Sequence, residues 1–135
     1  MHIILHIDTR KLDIDYEMAI NEYFKRTSAF ANISKRLYKD FSKPELKKSS
    51  YKFIVIQGKN SPTSYELAQK IDNISLAGYS CIEFLITEKS LNLSDNDFEF
   101  FNLTSMNIGI EPTVTALAEQ IYRAYTINNN IIYHK

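Results

Sequence analysis

At 135 residues, 44% of them hydrophobic and 24% charged, the chain has the size and balance of one globular domain, residues 1–135, built on one core. Lys plus Arg and Asp plus Glu stand at 16 each, so the net charge is zero and only its distribution carries information. The one cysteine, Cys81, excludes an internal disulfide and a cysteine-rich metal site. No run approaches the roughly 18 apolar residues of a membrane span. The N-terminal run Ile3-Ile4-Leu5-His6-Ile7 is broken by Asp8 and is too short for a signal peptide, which leaves the cytoplasm as the default location.

Residues 2–8 are short, β-branched and apolar, and are predicted as a buried strand. Residues 14–30 follow as a helix, because Tyr16, Ile20, Tyr23, Phe24 and Thr27 fall near one stripe at 3.6-residue spacing. Asp15 and Glu17 at its start and Lys25 and Arg26 near its end suit the helix dipole. Residues 33–40 carry a weak alternation that suggests a second strand. The polar, proline-containing stretch 41–50 reads as a loop. Tyr51–Gln57 is the clearest strand, with a turn at 58–60.

Thr63 and Glu66 have capping-box spacing and start a helix whose stripe is Leu67, Ile71 and Ile74; Gly78 ends it. Cys81–Ile86 is another buried strand, which makes Cys81 a small core residue. Ser94, with Asp95 and Asp97 behind it, reads as the start of a short helix over 94–101, and 103–108 as a short strand running into a loop. Pro112 opens the last helix, striped by Val114, Leu117, Ile121 and Tyr125. Strands alternating with helices predict an α/β fold: a parallel sheet covered on both faces.

Several familiar chemistries are missing. With only Gly58, Gly78 and Gly109 there is no dinucleotide-binding glycine turn and no P-loop. There is no serine-nucleophile elbow, and Cys81 lacks the exposed setting of a nucleophile. His2, His6 and His134 have no metal-ligand spacing; His2 and His6 share one side of the first strand and read as structural histidines at a strand edge. No metal is expected. Charge is uneven: between Phe24 and Lys59 ten Lys/Arg face only Asp40 and Glu45. Such a stretch is either a phosphate-neutralising surface or a solvated lysine-rich face.

The C-terminus is the most specific stretch. Glu119-Gln-Ile-Tyr-Arg-Ala-Tyr125, Ile127 and the closing Tyr133-His134-Lys135 resemble, almost letter for letter, the terminal signature of the RlmH family. These are SPOUT-class enzymes that methylate N3 of a pseudouridine in large-subunit (23S) ribosomal RNA. Ile20–Arg26 is similar to that family's first helix, and Phe53–Lys59 with the helix after Thr63 to its central strand and helix. The resemblance covers most of the chain.

It implies a parallel sheet flanked by helices, with a C-terminal segment threaded through a loop as a trefoil knot, a rare exception to unknotted topology. It implies S-adenosylmethionine held by three loops: Ile56 and Gln57; Thr87 and Glu88; and Leu103, Thr104, Ser105, Met106, Asn107 and Ile108. It also implies a homodimer, with Arg123, Tyr133 and His134 near the target base and Lys25, Arg26, Lys35 and Arg36 on RNA. The chain departs from the family in three places. Thr87-Glu88 stands where a Gly-Gly pair is usual, Gly109–Val114 lacks the family's Pro-His and following Arg, and the region between 41 and 51 is shorter. The departures favour a second reading, a knotted relative that binds RNA or ribosomes without transferring methyl. A third is a small α/β interaction protein unrelated to RNA.

Overall fold

The computed structural model describes residues 1–91 and 97–131. The elements are β1 (His2–Ile7), α1 (Ile14–Thr27), β2 (Asn32–Leu37), β3 (Tyr51–Gln57), α2 (Ser64–Leu76), β4 (Cys81–Ile86), β5 (Phe98–Thr104) and α3 (Ile110–Asn128). All pairings are parallel, in the order β2-β1-β4-β3-β5. The central strands are apolar along most of their length, as strands buried on both faces must be.

One side chain in two points to each face. Ile3, Leu5 and Ile7 of β1, Phe53 and Val55 of β3, Ile82, Phe84 and Ile86 of β4 and Phe101 of β5 form one face. All three helices pack there, through Ile20 of α1, Leu67, Ile71 and Ile74 of α2, and Val114, Leu117 and Ile121 of α3. Phe53 stacks on Phe84 with ring centroids 5.0 Å apart, and Phe101 meets both edge-on. On the opposite face, with Ile4, His6, Glu83 and Leu85, no helix packs among the described residues; the segment 38–50 crosses it, with Phe41 buried. Cover on both faces is thus met by helices on one side and by a loop on the other.

The capping box of α2 is present in full: Thr63 Oγ1 accepts from the Glu66 amide, and the Glu66 carboxylate accepts from the Thr63 amide. Gly78, at φ +99°, ends that helix in the left-handed region, with its amide on Ser75 and that of Tyr79 on Ile74. α1 ends at Thr27, whose hydroxyl donates back to the Tyr23 carbonyl, with the Ser28 amide still bonded to the Phe24 carbonyl as the cap. Pro112 lies third in α3, still in the first turn where its missing N–H costs nothing.

Three expectations fail. Residues 98–101 are not helical but belong to β5, which continues to Thr104, so the strand begins well before 103 and does not reach 108; residues 94–96 lie outside the described residues. The aromatic run Phe98-Glu-Phe-Phe101 pairs with β3 along its length, and that ladder outweighs the local capping signal. β1 is also no edge strand. It lies between β2 and β4, so His6 is fully buried rather than at a strand edge. Cys81 is buried as expected, and burial pushes its thiol up, away from nucleophile chemistry.

Candidate functional site

Open parallel sheets bind ligands beyond the carboxyl ends of their strands. Here the ends of β3, β4 and β5 and the start of α3 enclose a cleft of about 490 Å³, within the usual size range of small-molecule sites. Its apolar lining includes Ile54, Ile86 and Leu103, and its polar lining includes Gln57, Thr87, Glu88, Lys89, Ser90, Thr104 and Asn107. A bulge between Ile56 and Gln57 shifts the register of β3 against β5 at the rim. A Cβ on Gly58, the next residue, would lie 3.1 Å from Asn102 Oδ1, so a side chain there requires Asn102 to shift. Gly109, at φ +86°, turns the chain from the cleft wall into α3.

The structure brings Ile56, Gln57, Thr87, Glu88, Leu103, Thr104, Asn107 and Ile108 around this one cleft. Ser105 and Met106 lie in the same loop but do not line it; Met106 is 68% exposed. Arg123 is half-buried on α3, ten residues past the cleft-lining Thr113, so roughly 15 Å along the helix axis. Within one chain it is not at the cleft. Tyr133 and His134 lie outside the described residues. Lys25 and Arg26 are exposed on the last turn of α1, and Arg26 pairs with Glu22 at 3.1 Å. On β2, Lys35 donates to Asn21 at 2.7 Å and lies over the Phe24 ring, while Arg36 faces Glu45 at 3.4 Å. Tyr122 packs its ring against Tyr23, and Tyr125 is a core residue stacked on Phe30, its hydroxyl pushed up to about 12 by burial.

A residue that periodicity did not single out organises the rim. The Thr87 hydroxyl donates to Asp8 Oδ2 at 2.6 Å and accepts from the Lys89 amide, tying the ends of β1 and β4 together where the 87–91 loop departs. Thr87→Val is expected to lower stability by about 1.5 kcal/mol, the low end for a hydrogen bond to a charged group because the pair is only part-buried. Thermal denaturation measures it; no change in the midpoint would mean the tie is not holding the loop. Among the described residues no cluster of three or more potential metal ligands occurs, and no helix is long and apolar enough to cross a membrane.

An α/β sheet with a mixed apolar and polar cleft at its carboxyl edge defines a small-molecule-binding enzyme scaffold. The chain belongs to the SPOUT methyltransferase family: the family model described as "Predicted SPOUT methyltransferase" matches residues 1–134. It is 33% identical over the whole of both chains to ribosomal RNA large subunit methyltransferase H 1 of Thermoanaerobacter sp. (strain X514). It is 31% identical to ribosomal RNA large subunit methyltransferase H of Lactobacillus helveticus, covering 89% of this chain and 91% of that one. It is 34% identical to a putative ribosomal RNA large subunit methyltransferase H of Methanococcus maripaludis, covering 87% and 89%.

Proposed function

We propose that this protein, as one SPOUT-type domain, transfers the methyl group of S-adenosylmethionine to N3 of a pseudouridine in large-subunit ribosomal RNA, in the cytoplasm. The observation that carries the reading is the convergence of three separate chain segments on one cleft at the carboxyl edge of the sheet. The donor set fits the ligand. The apolar lining suits an adenine ring, and the exposed Glu88 carboxylate and Lys89 ammonium suit a ligand bearing a sulfonium, an ammonium and a carboxylate. Thr87, in place of a glycine, has its hydroxyl engaged by Asp8.

In this reaction the ring N3 forms a bond to the methyl carbon as the carbon–sulfur bond breaks, and the N3 proton leaves to a base. The chain's part is to align the two reactants and to take that proton. His134 is the base in this reading; Tyr133 and Arg123 hold the nucleotide, and Lys25, Arg26, Lys35 and Arg36 supply backbone affinity. Arg123 is remote from the cleft of its own chain, so the reading includes a homodimer in which a second copy closes the site. The exposed side chains of Phe100 and Ile108 in the cleft lining, and of Met106 in the adjoining loop, support it. The knot belongs to the same reading.

Calorimetric titration with S-adenosylhomocysteine tests it. A dissociation constant in the micromolar range, worth about −8 kcal/mol, is expected, followed by methyl transfer to ribosomes that lack the modification. No heat at millimolar ligand would remove the enzyme reading and leave the RNA-binding relative, which the Thr87-Glu88 replacement favours.

A further inference from the structure

Glu83 has no exposed surface, and both of its oxygens are used. Oε1 accepts from His6 Nε2 at 3.0 Å; Oε2 accepts from the Lys47 amide at 3.0 Å and from the Ser50 hydroxyl. The Tyr38 hydroxyl accepts from the Glu45 amide, so its own hydrogen is available for His6 Nδ1, 2.6 Å away. One buried carboxylate therefore holds the β2–β3 crossover at residues 47 and 50 directly and at 38 and 45 through His6. Phe41, 3% exposed and edge-on to Tyr38, anchors it a fifth time. Loops of this length and polarity are ordinarily mobile; this one is fastened to the sheet.

Outward it presents Lys39, Lys43, Lys47 and Lys48, all exposed, and no ion pair to any of the four occurs among the described residues. The acids in the segment are Asp40 and Glu45. Glu45 is turned to Arg36, and Asp40 accepts from the Ser42 amide. The segment also starts beside the cleft. The Tyr38 amide donates to the Ile7 and Thr9 carbonyls at the end of β1, on either side of Asp8, which accepts from the cleft-lining Thr87. Arg26, Lys35 and Arg36, by contrast, are already engaged by Glu22, Asn21 and Glu45.

We infer that the pinned 39–48 segment, through Lys39, Lys43, Lys47 and Lys48, is the chain's principal phosphate-backbone contact for RNA, running from the cleft rim across the face of the sheet opposite α1, α2 and α3. The inference rests on the reading of the protein as RNA-directed and deepens it. Lysines on a fastened loop lose less freedom on binding than lysines on a mobile one, and they neutralise phosphates without reading sequence.

The test is the salt dependence of binding to a fluorescently labelled fragment of large-subunit ribosomal RNA, followed by anisotropy. The triple variant Lys43→Gln/Lys47→Gln/Lys48→Gln alters only exposed side chains. It should flatten the slope of log K against log salt by about two to three, because each phosphate left without its lysine takes roughly 0.7–0.9 from the slope. Ser50→Ala removes one fastening and no charge, so affinity should fall severalfold with the slope unchanged. If the wild-type protein binds and the slope responds instead to Lys25→Gln/Arg26→Gln/Lys35→Gln/Arg36→Gln, the RNA reading stands and this inference is overturned. If the wild-type protein shows no salt-dependent binding, both fall. Unchanged affinity in Ser50→Ala would remove the fastening from the argument.

Discussion

Glu83→Ala is expected to destabilise the protein by about 3–5 kcal/mol, the cost of removing one partner from a buried charged network. The loss would be a large part of the roughly 5–15 kcal/mol that holds a domain folded. The variant strands three donors at once: His6 Nε2, the Ser50 hydroxyl and the Lys47 amide. Urea unfolding measures the cost, and a double-mutant cycle with His6→Leu separates the pair from the rest of the network. The same network sets a pH dependence. Burial by itself would raise the Glu83 carboxyl; the hydrogen bonds from His6, Ser50 and the Lys47 amide outweigh it and hold the group below the ordinary carboxylate range. A group lowered on folding stabilises fully above its unfolded value, and that contribution is lost as the pH falls through its folded value. Acid should therefore narrow the stability gap between wild type and Glu83→Gln. A gap that stays constant into acid would show that the carboxylate charge plays no part.

How far such features were readable before the fold depended on the range of the interaction. The α2 start was legible because Thr63 and Glu66 complete each other within four residues. The stripes of α2 and α3 were legible because helix period and burial coincide. β5 was not, since its identity lies in a ladder to β3 some 45 residues earlier, while its local sequence carries a helix-start pattern. Of the cleft, Ile56, Gln57, Thr87, Glu88 and the loop to Ile108 came from family resemblance, not from spacing. Asp8 was invisible because its partner Thr87 lies 79 positions away. The Glu83 network left one trace: His6 and Glu83 interrupt otherwise apolar strands, and a charged residue inside a buried strand signals a partner without naming it. That partner proved to be the loop 38–50, whose own sequence carries no regular pattern at all.

His134→Ala is expected to lower methyl transfer by roughly 10²–10⁴-fold, the usual contribution of a positioned acid–base group. N3 of a uracil-type ring cannot displace a sulfonium methyl while it keeps its proton, and an imidazole exchanges protons near neutral pH. Glu88 and Lys89 at the cleft rim are an alternative acid and cation, so the variant must be read against them. Binding of S-adenosylhomocysteine to His134→Ala is measured alongside: a role in proton removal leaves it unchanged and places the loss in the transfer step under saturating cofactor. His134→Gln keeps a hydrogen-bonding side chain but cannot take the proton. It should be as slow as the alanine variant if proton removal is the role, and should recover activity if His134 only positions the base. Full activity in both variants would pass the role to another group, with Glu88→Gln the next substitution to make.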